Sequence, residues 1–192
     1  MRDTKDSENV SFLKELFFEA GKPSLEHFGL TEITDIKKEH VHKEIFENML
    51  LKRVGRCVDA KEYSQYLAEV LVNKEHEFFF EHESVHLPGL YIIEAGRQIG
   101  LAIPHIFYDI PYGDAFVLEG CNIDFKDFAN LNSPIFIKCS ILNPIYRKGK
   151  LTSMSFLGTF IQDDKEIVHY ESHIKIMDKR LLKRLERRQK YD

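Results

Sequence analysis

Apolar positions along this chain follow two different rhythms. Residues 10–20, VSFLKELFFEA, place Phe12, Leu13, Leu16, Phe17 and Ala20 at helical spacing, with Gly21 and Pro23 just beyond, where a helix ends. Residues 22–40 are polar and turn-rich and read as a connector. EIFENMLLKRVGRCV (44–58) reads as extended, and EYSQYLAEVLV (62–72) fits either rhythm, with its Val and Tyr favouring a strand. EFFF (77–80) is a short apolar run ahead of the polar EHESVH. HLPGLYIIEAGRQIGLAIPH (86–105) is apolar on nearly every face; Pro88 suits a first turn, and Pro104 and Pro111 bracket the end. Four alternating stretches follow, at 115–125, 134–146, 150–162 and 166–177, with RKGK (147–150) and DDKE (163–166) as hairpin turns. The pattern predicts an α+β layout, one long helix wrapped by a curved antiparallel sheet.

The 192 residues make one ordinary domain, and 43% hydrophobic with 30% charged residues can build a core and keep a polar surface. Cys57, Cys121 and Cys139 form no CxxC pair, which argues against a disulfide framework or thiolate zinc site and fits a reducing cytoplasm. No run of about 18 apolar residues predicts a membrane span, and MRDTKDSENV lacks the apolar core of a secretory signal. The net charge of -4 is unevenly spread. Lys179 to Lys190 holds seven basic residues and one acidic, Glu186, leaving 20 basic against 29 acidic residues, a net of -9, in residues 1–178. That tail reads as a solvated helix with LLKRL on the core, or as a docking surface for an acidic partner such as an acyl carrier protein. The tail lacks interleaved aromatics and the body is acidic, which weighs against nucleic acid.

The long helix carries an unexpected polar stripe. Glu94, Arg97 and Gln98 sit at i, i+3 and i+4 and share a face. A buried unpaired carboxylate or guanidinium is expensive, so the stripe is either an ion pair with Gln98 tied to backbone, or the wall of a site. As a site wall, Glu94 is a candidate general base or acid and Arg97 a candidate anion holder. His82 and His86 lead into the helix, whose first amides are free donors and where Gly89 permits close backbone approach. A carbonyl oxygen there would be polarised as in an oxyanion hole. His82, His86 and Glu94 lack a dedicated metal-ligand spacing, so no metal is expected, and no cofactor.

HLPGLYIIEAGRQ is similar to the helix start of β-hydroxyacyl-carrier-protein dehydratases, which pair a histidine before the helix with an acid on it; only seven residues separate His86 from Glu94 here. A closer resemblance is to the AfsA family of A-factor biosynthesis hotdog proteins, carried by VHKEIFENMLL (41–51), HLPGLYIIEAGRQIG (86–100), IPHIFYDIPYGDAFVLEG (103–120) and their spacing. It implies a single hotdog fold over 38–178, flanked by an N-terminal helical segment and connector (1–37) and a basic C-terminal helix or tail (179–192). It also implies acyl transfer: a β-ketoacyl chain moves from an acyl carrier protein or acyl-CoA thioester to the hydroxyl of a phosphorylated acceptor such as dihydroxyacetone phosphate, toward γ-butyrolactone-like signals or other secondary metabolites. The implied roles are Glu94 as base, Arg97 holding phosphate or orienting Glu94, Gln98 completing the catalytic core, His86 and the amides near Gly89 on the thioester oxyanion, and His82 and His105 in substrate binding. On these roles Glu94→Gln would abolish turnover and spare stability. Longer relatives carry two hotdog units, so this single unit implies a homodimer with sites at the interface. A hotdog thioesterase or dehydratase, and a non-catalytic acyl- or lactone-binding module, are the alternatives.

Overall fold

The computed structural model describes residues 25–57, 64–81 and 83–189. The helix expected at 10–20 and His82 lie outside them. Seven strands form one antiparallel sheet: β1 (Leu30–Asp35), β2 (Leu51–Cys57), β3 (Ser64–Val70), β4 (Ala115–Phe125), β5 (Phe136–Arg147), β6 (Lys150–Gln162) and β7 (Lys165–Met177), in the order β1-β2-β3-β5-β6-β7-β4. The sheet curves around one long helix, α1 (Gly89–Phe107), and a second helix, α2 (Lys179–Gln189), follows β7. This is the expected α+β architecture. No helix among the described residues is long and apolar enough to cross a membrane.

Both expected hairpin turns form. Lys148 and Gly149, and likewise Asp163 and Asp164, have positive φ at both central positions, the geometry that matches the twist of the flanking strands. Pro144 is tolerated in β5 because the register with β6 shifts between Leu142 and Ile145.

Two expectations change. The connector at 22–40 contains β1, which pairs with β2 through a bulge between Thr31 and Thr34, where Glu32 has φ 53°. That bulge breaks the alternation by which a strand is recognised. The stretch expected to be extended from 44 is a helical turn at Phe46–Asn48, and extended pairing starts only at Leu51.

The core lies between α1 and the concave face. Tyr91, Ile92, Ala95, Ile99, Ala102 and Ile103 are buried on the helix against Tyr66, Ile137, Phe156, Phe160 and Tyr170 of the sheet. Gly96 permits this closeness: a Cβ there would stand 2.9 Å from the Tyr170 ring. Removing this much apolar surface from water is the main force holding the helix inside the sheet.

Candidate functional site

The exposed side of α1 is covered by residues 38–50, which run along its polar stripe. Glu94 is the centre of the contact. Arg97 grips it with two hydrogen bonds of 2.8 Å, Nε to Oε2 and Nη2 to Oε1. Lys43 Nζ sits 2.9 Å from Oε1, and Gln98 Nε2 donates to the same oxygen at 3.0 Å. Burial alone would raise the Glu94 pKa, but the hydrogen bonds from Arg97, Gln98 and Lys43 outweigh it and bring it down to about 2. Glu94 raises the Arg97 pKa in return.

Gln98 is fully buried. Its Oε1 accepts from the Leu50 N–H at 2.9 Å, and its Nε2 also donates to the Asn48 carbonyl at 2.8 Å. Gln98 thus clamps residues 48–50 onto the helix and gives β2 its starting point. Asn48 continues the network: its Oδ1 accepts a 2.9 Å hydrogen bond from His76 Nε2. Glu94, Lys43, Asn48, His76, Phe78 and Phe79 line one cleft of about 360 Å³, with Leu90 and Ile93.

His86 is elsewhere. It forms a bridge to Asn130, its ring packs 5.1 Å from that of Phe128, and it lines a second cleft of about 380 Å³ with Gly89, Ile92 and Phe125. Within one protomer, therefore, His86 and Glu94 face different clefts on the two sides of the start of α1. A Cβ at Gly89 would meet the Phe125 ring at 3.4 Å, ordinary contact distance, so packing against Phe125 does not by itself require glycine there. The Tyr91 and Ile92 amides turn back to the Pro88 carbonyl, and those of Gly89 and Leu90 have no partner among the described residues.

His105 lies at the far end of the stripe and is buried. Its Nδ1–H donates to the Ile110 carbonyl at 2.7 Å, so its Nε2 accepts from His42 Nε2–H at 2.9 Å. Tyr112 and Phe116 pack on the His105 ring. Burial lowers the His105 pKa, with the Ile110 hydrogen bond opposing. Burial, then the charges of His105, Arg97 and Lys179, lower that of His42.

The structure thus brings Glu94, Arg97 and Gln98 together and separates them from His86 and His105. Sequence reasoning missed Lys43, Asn48, His76 and His42. Three of the four lie in VHKEIFENMLL, a stretch that carries the family resemblance without marking any one of its residues for a role. His76 follows the connection after β3 and no local spacing marks it. Among the described residues no group of three or more His, Cys, Asp or Glu is placed to hold a metal.

A single antiparallel sheet wrapped around a central helix, with a charged network on that helix, is the architecture of a hotdog-fold protein. The chain matches the A-factor biosynthesis hotdog domain, AfsA, over residues 27–178, and it belongs to that family. Among solved structures it is similar to a dehydratase heterocomplex from Xenorhabdus doucetiae (TM-score 0.57, 17% identity, covering 77% of this chain and 95% of that one). It is also similar to a candidate thioesterase from Lactococcus lactis (TM-score 0.52, 9% identity, covering 70% and 98%). At these identities the likeness is one of fold. No curated protein gives a significant match.

Proposed function

We propose that this protein is an acyltransferase that moves a β-ketoacyl chain from a carrier-protein or CoA thioester to the hydroxyl of a small phosphorylated acceptor such as dihydroxyacetone phosphate, in cytoplasmic synthesis of a γ-butyrolactone-like signal or related metabolite. Family membership supports the reaction class. The observation that carries the reading is the convergence of two cations, Lys43 and Arg97, on one carboxylate at the cleft wall. Arg97 Nη1 has no partner among the described residues and is available to an anion.

The acceptor hydroxyl attacks the thioester carbonyl, the oxyanion rests on the free amides of Gly89 and Leu90, and the thiol leaves as the ester forms. Glu94 acts here as a fixed anion that sets Arg97 and Lys43. With a pKa near 2 it holds a proton about 7 kcal/mol less well than a base poised at pH 7, so it is poorly suited to take the hydroxyl proton. Gln98 positions the wall and does not touch substrate. His86 borders the second cleft, whose Ile92, Phe125 and Phe128 suit an acyl chain. A dehydratase needs imidazole and carboxyl on one carbon skeleton, and because His86 and Glu94 of one chain face different clefts, that reading requires one residue from each of two copies.

We also place the donor on α2, beyond the end of the family match at residue 178. Lys179, Arg180, Lys183, Arg184 and Arg187 are exposed and form no ion pair among the described residues, while the rest of the chain is acidic. Such a surface suits an acidic carrier protein. The copies pair as a homodimer through β4, whose outer edge no described strand covers.

The test is mass spectrometry of products from β-ketoacyl thioesters with and without dihydroxyacetone phosphate. An ester formed only with the acceptor is the expected result. Free acid in both reactions would replace transfer with hydrolysis, and intact thioester in both would favour a binding module.

A further inference from the structure

If Glu94 is held as an anion, the proposed transfer lacks a proton acceptor, and the same cleft contains two further titratable side chains, Lys43, which is paired with Glu94, and His76. Its surroundings are built. Asn48 Oδ1 can only accept, so in the neutral ring His76 Nε2 carries the proton and Nδ1 is left as an acceptor. Asn48 is itself fixed, because its carbonyl takes the Gln98 amide, which also bonds Glu94. A continuous chain of hydrogen bonds thus runs from Glu94 through Gln98 and Asn48 to His76.

The backbone around His76 is equally constrained. Its N–H donates to Asn73, its carbonyl accepts from Phe79 and Phe80, and Asn73 accepts from Glu75 N–H. Tyr91 of α1 holds this turn by accepting from Asn73 N–H and donating to the Leu71 carbonyl. The Phe79 ring packs 4.7 Å from the imidazole.

Against this background Nδ1 is the exception. It is shielded from bulk water and has no hydrogen-bond partner among the described residues. An orphaned acceptor of this kind costs a fold stability and calls for an explanation, such as a ligand or a reaction that uses it. The charged groups sharing the cleft, Lys43 and Glu94, are already paired with each other.

We infer that His76 is the catalytic proton acceptor of the cleft, its Nδ1 taking the proton of the attacking hydroxyl while Asn48 fixes the tautomer. The oxygen–carbon bond forms as the proton moves to Nδ1, giving a tetrahedral oxyanion and an imidazolium. The carbon–sulfur bond then breaks, and the imidazolium returns its proton to the departing thiolate. No other reactant is needed. Because Nδ1 is shielded from bulk water, a hydroxyl that reaches it does so without competition from solvent. The arrangement of an imidazole oriented by a third polar group is the general logic of base-activated attack.

This inference rests on the acyl-transfer reading, and the experiment separates the two. His76→Gln replaces the imidazole with an amide that can still donate to Asn48 but has no Nδ1. The full chain and the variant are assayed for thiol release and ester formation with a β-ketoacyl thioester, with and without dihydroxyacetone phosphate, across pH. Expected are an unchanged melting temperature, an acceptor KM within threefold, a kcat at least a hundredfold lower, and loss of the acidic limb of the pH profile. A kcat within threefold of the parent overturns the inference. If the parent only hydrolyses thioester, the transferase reading fails and the same loss must appear in hydrolysis. If the parent turns over nothing, ¹⁵N-histidine spectra with glycerol 3-phosphate decide: the Nδ1 resonance must shift on saturation, and an unmoved resonance overturns the assignment.

Discussion

Gln98 and Asn48, fifty residues apart, are joined by a hydrogen bond of 2.8 Å from the Gln98 amide to the Asn48 carbonyl, and the same side chain accepts from Leu50 N–H. Gln98→Leu leaves both backbone groups unpaired, the Leu50 N–H buried and the Asn48 carbonyl partly buried. A loss of about 2–4 kcal/mol in urea unfolding is expected, since each such group costs about 1–3 kcal/mol. A loss below about 0.5 kcal/mol would mean that packing alone holds residues 48–50.

Glu94 makes stability depend on acid. Its folded pKa of about 2 lies below the ordinary 4.5, so its contribution is fully present above pH 4.5 and is lost as pH falls from there toward 2. The shift corresponds to about 3 kcal/mol at most. Glu94→Gln should lower stability at pH 7 by about 2–3 kcal/mol and flatten the dependence below pH 4.5. The sequence alone led to the opposite expectation for stability; the bonds to Arg97, Lys43 and Gln98 are the reason for the change. An equally steep acid limb in the variant would show that Glu94 is not its source.

The paired histidines act in a different window. His42 and His105 both have lowered pKa values, chiefly through burial, so the unfolded chain binds their protons more readily. Stability should therefore fall as pH drops below about 6.5. In His105→Gln the fall in melting temperature between pH 7.5 and 5.5 should be smaller, though not absent, because His40 is lowered in the same way. An unchanged slope would exclude His105.

Gly96→Ala should destabilise by about 1–3 kcal/mol, because the new methyl group meets the Tyr170 ring at 2.9 Å. Combining it with Tyr170→Leu should recover part of that loss in a double-mutant cycle. Simple additivity would show that the ring moves aside without help.

The proposed homodimer is tested at β4. Leu118 is 54% exposed on that strand. Leu118→Asp should shift the sedimentation coefficient from dimer to monomer and reduce turnover with it. A variant that remains dimeric would place the interface elsewhere.

The long helix and the hairpins were legible because their signals are local: apolar residues on all sides between prolines, and alternation broken by two-residue turns. Glu94, Arg97 and Gln98 were legible because helical spacing alone puts them on one face. β1 was not, since its bulge interrupts the alternation. Lys43 and His76 were not either, because what matters in each is a partner far away in sequence, reached only once residues 38–50 and 73–80 fold against α1.

The two edges of the sheet are unequal. β1 is six residues long and bent by the turn at Glu32, so it makes a poor template for another chain. β4 is eleven residues long, with one register shift. A second copy joining along β4 would use the same strand on both sides, and among the described residues the pair would expose two β1 edges. On the proposed dimer, growth would stop at two, and the chain would escape the open-ended strand addition that makes fibres.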